Sequence, residues 1–341
     1  MKRILVTGAS GYIGSHTLVE LVKAGYDVVG VDNFVNSSPS VIERVEQILG
    51  KKVPFMELDC ADKQDFSRVF ETYPDICGAI HFAAHKAVGE SVDKPLKYYG
   101  NNISSLVNLL ELISDREGRF VVFSSSCTVY GSPSPENIPV GENAPLQAAE
   151  SPYGNTKQIA EDILRDVVKA DKGMRVTALR YFNPIGAHSS ALIGELPMGV
   201  PQNLIPYITQ TAIGLREQLS VYGDDYNTPD GTCIRDYIHV CDLAMAHVAS
   251  VKRLLEVDSE DRYEVFNVGT GKGLSVMEII KAFIKVTGVN LPYKIVARRA
   301  GDIEQIWADP TKSNEILGWK SQYSAEEALA SAWEWQKSLK S

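Results

Sequence analysis

The chain has few cysteines, no long apolar run and no block of basic residues, and each shortage closes off a class of protein. Its five cysteines, Cys60, Cys77, Cys127, Cys233 and Cys241, lie far apart and form no CxxC pair. An odd number without metal-ligand spacing favours free thiols in a reducing compartment over a disulfide framework. No stretch approaches the roughly 20 apolar residues that span a membrane, and the opening MKRILVTGAS has too short an apolar run for a signal peptide. A cytoplasmic protein is expected, with no membrane partner. Positive charge is scarce too: 34 Lys and Arg face 43 Asp and Glu, a formal net charge of −9. Nucleic acid is therefore not an expected partner, because its affinity comes largely from Lys and Arg on phosphates. A phosphate-bearing ligand would have to be held by backbone amides and a few arginines.

What is present is the composition of an ordinary soluble protein, 44% hydrophobic and 23% charged over 341 residues. That length buries a large core without disulfides and predicts two domains, or one with an extended lobe. Apolar runs at 3–7, 27–31, 53–57, 78–82 and 119–124 read as parallel strands buried on both faces. Amphipathic stretches such as 15–24 and 104–114 read as the helices between them. The alternation predicts an α/β fold, a Rossmann-type doubly wound parallel sheet with right-handed connections. Residues 131–152, broken by five prolines, read as a long loop, and the alternation fades beyond Arg180. We expect a first domain over 1–182, to which 237–268 returns, and a smaller α/β substrate-binding lobe over 183–341.

Gly8, Gly11 and Gly14 follow the first apolar run directly, in a GxxGxxG spacing. Such glycines permit a tight turn, let backbone approach a pyrophosphate and let helix pack on strand; the helix amino terminus then offers free N–H groups. Asp32 ends the second run, near the distance at which a dinucleotide fold places the acid that accepts from the ribose hydroxyls. Its carboxylate would repel a 2′-phosphate, and Asn33 rather than Arg or Lys follows it, so NAD is preferred to NADP. Asp59, ending the third run, is equally well read as an adenine contact or a turn residue. His81 and His85 mimic a zinc pair in spacing, but His81 falls in a strand and no HExxH glutamate follows it; no metal is expected.

Tyr153 and Lys157 stand four residues apart at the start of a predicted helix, so they share one face. An ammonium beside a phenol favours the phenolate, which predicts a Tyr153 pKa lowered from about 10 towards neutrality. Tyr153 could then exchange a proton with a carbinol. Ser124, Ser125 and Ser126 close a buried strand, at the end where open α/β sheets bind ligands. Three hydroxyls in a row serve equally as strand caps or as partners to a substrate hydroxyl.

With these stretches the chain resembles the extended short-chain dehydrogenase/reductase family, and within it the nucleotide-sugar 4-epimerases. The matching segments are VTGASGYIGSH, VDNFVNS, HFAAHKAVGESVDKPLKYYGNN, FSSSCTVYG, SPYGNTK, LRYFNPIGAH, GDDYNTPDGTCIRDYIHVCDLA and RRAGDI, nearly the whole chain. The resemblance implies that Ser126, Tyr153 and Lys157 are catalytic and also contact NAD, Lys157 at the nicotinamide ribose. It implies that Tyr12, Ile13, Asp32, Asn33, Asn36, Ser37, Asp59, Cys60, Phe82, Ala83, Ala84, Lys86, Asn101 and Phe182 join the glycines around NAD. It places Lys86, Asn183, Asn203, Leu204, Ser220, Tyr222, Arg235, Tyr237, Arg299, Asp302 and Ile306 on a UDP-sugar substrate, with Ser126 and Tyr153 also reaching the sugar. For Arg235 and Arg299 chemistry agrees, since pyrophosphate favours guanidinium forks; pairing with Asp236 and Asp302 is the structural alternative. A homodimer is also implied.

The implied reaction is reversible epimerisation at C4 of UDP-glucose and UDP-galactose through a 4-keto sugar. Related dehydratases need an acid and a carboxylate beside the Ser126 position, where this chain has Cys127 and Thr128. A non-catalytic NAD sensor would be expected to lose the tyrosine or the lysine. Ile306 aligns with a family position that is a large tyrosine in enzymes confined to glucose and galactose and a small residue in those taking N-acetylated sugars. Isoleucine departs from both patterns, so UDP-N-acetylglucosamine stays open as an alternative substrate.

Overall fold

Alternating apolar runs and amphipathic stretches fold into a layered α/β unit. The computed structural model describes residues 3–257, 259–299 and 302–339. In chain order come β1 (Arg3–Thr7), α1 (Tyr12–Lys23), β2 (Asp27–Asp32), α2 (Ser40–Leu49), β3 (Phe55–Glu57) and α3 (Lys63–Thr72). Then follow β4 (Ile76–His81), α4 (Val88–Asp93), α5 (Pro95–Ile113), β5 (Phe120–Ser126), α6 (Pro152–Ala170) and β6 (Arg175–Tyr181). The remainder runs β7 (Asn183–Ile185), α7 (Leu204–Ala212), β8 (Leu219–Tyr222), β9 (Ile234–His239), α8 (Val240–Glu256) and β10 (Tyr263–Val268). It closes with β11 (Gly273–Ser275), α9 (Val276–Thr287), β12 (Tyr293–Val296), β13 (Gln305–Ile306), α10 (Thr311–Glu315) and α11 (Ala325–Ser338).

The main sheet has seven strands in the order β3-β2-β1-β4-β5-β6-β10, every neighbouring pair parallel. Its strands are apolar on both faces, and alternate residues part company. Ile4 and Val6 join Leu18 of α1 and Leu243 of α8 in one core, while Leu5 joins Leu106 of α5 and Leu164 of α6 in the other. The order reverses between β1 and β4, which opens a crevice beyond their carboxyl ends.

Several boundaries differ from expectation for local reasons. Helix α1 starts at Tyr12, not residue 15, because Gly11 itself is the N-cap. Helix α5 starts at Pro95, not near 104, proline being at ease in a first helical turn. Strand β3 begins only at Phe55, after Pro54, which has no N–H for the ladder.

The rest of the chain forms a smaller lobe in which β9 pairs with β7, β11 and β13, and β8 with β12. Its core gathers Ile208 of α7, Tyr237 of β9, Phe283 of α9 and Leu329 of α11. Helices α9 and α11 each open on a full capping box, Ser275 with Glu278 and Ser324 with Glu327. Re-entry to the main sheet comes through α8, which packs on α1, and β10, its edge strand. Tyr237–His239 themselves stay in β9 of the smaller sheet.

Candidate active site

The crevice is lined first by the glycine loop. Gly8 has φ +66°, and a Cβ there would lie 2.9 Å from the Ala83 nitrogen and 3.1 Å from the Phe82 Cβ. A Cβ on Gly14 would lie 2.1 Å from the Gly8 carbonyl oxygen, so only glycine lets α1 sit this close to β1. The first turn of α1 carries no acidic residue and its N-cap makes no side-chain bond, which leaves its N–H groups and dipole turned to the crevice. Asp32, at the end of β2, accepts from the Ser10 N–H at 3.1 Å, the Phe34 N–H at 2.9 Å and the Ser37 hydroxyl at 3.3 Å.

Other expected cofactor contacts ring this loop. Phe82, Ala83 and Ala84 follow β4; the Ala83 N–H donates to Thr7 Oγ1 at 3.2 Å. Asn36 approaches His85 at 3.4 Å and Asn101 donates to Asn102 at 3.0 Å. The Asn33 side chain accepts from the Val35 N–H, and Ile13, in the first turn of α1, packs against the core. Asp59 accepts from the Ala61 N–H at 2.8 Å, a turn contact. Two side chains point elsewhere: the Cys60 thiol is buried in the core, and the Tyr12 hydroxyl donates across to the Gly186 carbonyl at 2.6 Å. Their backbone is what remains for a ligand. His81 bonds Thr7 and Ser105, and burial pushes its pKa down to about 3.

Helix α6 carries the tyrosine and lysine. Ser151 caps it, accepting from the Gly154 N–H at 3.1 Å, and Pro152 fills the first turn. Tyr153 thus stands at the helix entrance, its own N–H bonded to Ser91 Oγ at 3.2 Å. Lys157, 5% exposed, donates to the Ser124 carbonyl at 2.5 Å, and its Nζ lies 5.8 Å from the Tyr153 ring centre and 4.9 Å from that of Phe123. Ser126 ends β5 and caps the 3-10 turn Cys127–Tyr130, accepting from the Thr128 N–H at 3.2 Å. The structure brings Ser126, Tyr153 and Lys157 together at one edge of the crevice.

One expectation is corrected. The protein's own groups raise the Tyr153 phenol well above its ordinary value, first by burial and then by Tyr181; a side-chain hydrogen bond with Ser126 works against them. Lys157 is turned to the Ser124 carbonyl, and burial pulls its pKa down to about 8. Helical spacing set the two residues on one face but did not reveal that the ammonium is anchored to the strand.

The smaller lobe presents the remaining candidates. Asp302 binds Arg299 at 2.7 Å and approaches Arg235 at 4.0 Å. Asp236 does not pair with Arg235. Consecutive strand residues face opposite ways, and Asp236 turns inward to accept from Thr270, Gly271 and Ala308. Ile306 pairs in register with Arg235 and is fully buried beside Phe182. Tyr237 is buried in the lobe's core, while Ser220 and Tyr222 lie on β8. Asn183 opens β7, and Asn203 caps α7, which Leu204 begins. Of the RRAGDI segment, Ala300 and Gly301 lie outside the described residues.

Glu195 was missed by sequence reasoning. Its carboxylate accepts from Asn203 at 2.6 Å and pairs with Lys86 at 3.5 Å, so it joins a residue expected on the substrate to one expected on both substrate and cofactor. It stands 109 residues from Lys86, and no local pattern marks it.

The family model described as GDP-mannose 4,6 dehydratase matches residues 5–332. The chain is 50% identical over 335 residues to the UDP-glucose 4-epimerase of Bacillus subtilis, covering 98% of this chain and 97% of that one. It is 49% identical over 337 residues to the bifunctional protein GAL10 of Pachysolen tannophilus, covering 98% of this chain but spanning only 49% of that longer relative. The crystal structure of UDP-glucose 4-epimerase from Bifidobacterium longum in complex with NAD+ and UDP superimposes with a TM-score of 0.94 at 47% identity, covering 99% of this chain and 98% of that one.

Proposed function

The chain belongs to the UDP-glucose 4-epimerases of the extended short-chain dehydrogenase/reductase family, and on that premise we propose that it interconverts UDP-glucose and UDP-galactose by reversible epimerisation at C4, with NAD held tightly throughout. The observation that carries this reading is the meeting of Ser126, Tyr153 and Lys157 beside a glycine-lined crevice. The crevice fits NAD: the Gly8 and Gly14 turns leave room that a Cβ would close, and Asp32 is held at the end of β2. Gly11, Gly14 and the Tyr12 and Ile13 backbone would hold the pyrophosphate, Asp32 and Asn33 the adenosine ribose, and Lys157 the nicotinamide ribose. When bound, NAD supplies a hydride acceptor and donor at C4, so that the cycle ends with no net redox change.

Tyr153 takes the proton of the sugar 4-hydroxyl and returns it to the 4-keto group, with Ser126 bonded to the same oxygen. A phenol raised by burial needs added positive charge to ionise; Lys157 and an oxidised nicotinamide supply that kind of charge. Arg235 and Arg299, steadied by Asp302, take the substrate pyrophosphate, and Asn203, Leu204, Ser220 and Tyr222 take the uridine end. Binding concentrated there leaves the hexose free to present either face of C4. Dehydration is disfavoured because Cys127, whose thiol burial pushes up to about 11, and Thr128 stand where an acid and a carboxylate would be needed.

A homodimer belongs to the same reading and is supported by Val92 and Leu96, 61% and 84% exposed on α4 and α5. A cytoplasmic place is consistent with the absence, among the described residues, of any helix long and apolar enough to cross a membrane. Steady-state assays of the purified protein with UDP-galactose and with UDP-N-acetylglucosamine test the function. Turnover of UDP-galactose is expected, with the N-acetylated sugar slower because buried Ile306 keeps its side of the pocket closed. Failure to convert UDP-galactose overturns the proposal.

A further inference from the structure

Behind the candidate catalytic set lies a buried charged network for which the proposed reaction has no use as such. Arg180 on β6 and Glu161 on α6 are 3% and 1% exposed. Their pairing is bidentate, Nε to Oε1 at 2.9 Å and Nη2 to Oε2 at 2.6 Å. The Ser125 hydroxyl donates to the same carboxylate at 2.5 Å. Arg180 also donates to the Tyr130 hydroxyl at 3.1 Å, and that hydroxyl donates to Asn267 at 2.6 Å.

The members of this network adjoin every catalytic position. Ser125 lies between Ser126 and Ser124, whose carbonyl holds Lys157. Glu161 stands one helical turn after Lys157, itself one turn after Tyr153. Tyr130 closes the 3-10 turn that begins directly after Ser126. A buried ion pair is a poor device for stability, since apolar side chains of similar volume often serve as well. What it does provide is a carboxylate fixed in direction at the junction of β5, β6 and α6.

The groups facing Lys157 are few. From β5 come the Ser124 carbonyl and the Phe123 ring, from β4 the neutral His81, and from α6 Tyr153 and Glu161. The Tyr181 hydroxyl of β6 bonds the Ser124 hydroxyl, on the residue whose carbonyl holds Lys157. Among the described residues Glu161 is the one anion acting on this ammonium, and it works against the burial that lowers the lysine's pKa.

We propose that Glu161, held by Arg180 and Ser125, is a positioning residue for the reaction: it fixes Ser126, Tyr153 and Lys157 relative to one another and sets its carboxylate one helical turn from the Lys157 ammonium. The inference rests on the epimerase reading, but its test can be separated from that reading. The variant is Glu161→Gln/Arg180→Met, which removes both charges and keeps an acceptor for Ser125. Glu161, not Arg180, is the charge that acts on Lys157, so losing the pair lowers the lysine's pKa. In the purified NAD-bound protein labelled with [6-13C]lysine, the Lys157 resonance is assigned by its loss in Lys157→Met. Its midpoint is expected to fall by roughly half a pH unit or more in the double variant. In turnover, the alkaline limb of the kcat profile moves to lower pH with it, kcat falls about tenfold or more, and KM changes less than about threefold, because the nucleotide end is untouched.

Should the double variant fail to fold, Ser125→Ala unfastens the carboxylate without stranding a charge. It is expected to lower kcat several-fold at constant KM. An unmoved Lys157 midpoint in the double variant, or an unchanged kcat in Ser125→Ala, overturns the inference and leaves Glu161 as packing. A wild-type protein that ignores UDP-galactose would instead defeat the proposed function, and the resonance titration would still decide the role of Glu161.

Discussion

Tyr153 is a buried phenol at the entrance of α6. Burial and the neighbouring Tyr181 raise its phenol, while Ser126 alone among its side-chain partners favours the ionised form. In the proposed reaction such a group needs the positive charge that arrives with the cofactor before it can take a proton. Tyr153→Phe removes the hydroxyl proposed to transfer the proton and keeps the ring. Its kcat should fall by about 10²–10⁴-fold, with NAD still recovered from the denatured protein in wild-type amount. A variant with near-full kcat would show that another group moves the proton. That Tyr153 and Lys157 share a helix face could be read from their spacing. The anchoring of Lys157 on the Ser124 carbonyl could not, because it joins residues 33 apart through a turn of chain with no local signature.

At the scale of elements, the site is the junction of a strand end and a helix start. Ser151 decides where α6 begins: its hydroxyl satisfies the Gly154 N–H, and Tyr153 then falls in the first turn with Lys157 one turn below. Ser151→Ala should cost about 1 kcal/mol of stability, read as a lower midpoint in denaturant. It should also reduce kcat, since a frayed first turn lets Tyr153 wander. Lost stability at unchanged kcat would mean that Ser91, bonded to the Tyr153 N–H, holds the residue unaided.

Strand positions were readable because apolar runs bounded by Gly and Pro have few alternatives, and β1 falls where expected. Ends moved where a glycine or proline acts as cap rather than breaker, at Gly11 and Pro95. The partners of Arg235 were half readable. Asp302 is three residues from Arg299, whereas Asp236, next to Arg235 in sequence, faces the other way on β9 and serves Thr270, Gly271 and Ala308 instead.

For the whole molecule, five histidines are buried, His16, His81, His188, His239 and His247, and burial lowers the pKa of each. Burial pushes His16 and His81 down to about 3, and His239 and His247 down to about 4. Their folded pKa values lie below the unfolded value of about 6.5. The unfolded chain therefore takes up protons first as pH falls. Stability is complete above about 6.5 and is lost between there and pH 3–4, at up to about 1.4 kcal/mol per pH unit for each histidine. Thermal melting should show Tm falling steeply from pH 7 to pH 5. A flat Tm across that interval would mean that the rings are protonated in the native protein.

Above the crevice at the β1–β4 reversal, the same molecule is proposed to lend a hydride and take it back. The most direct test supplies UDP-galactose deuterated at C4 to the purified protein in ordinary water with no added NAD, and reads the product by NMR. UDP-glucose with the deuterium still at C4 is the expected result, because the hydride never leaves the protein. Product carrying solvent hydrogen at C4, or turnover only when NAD is supplied in step with substrate, would contradict it.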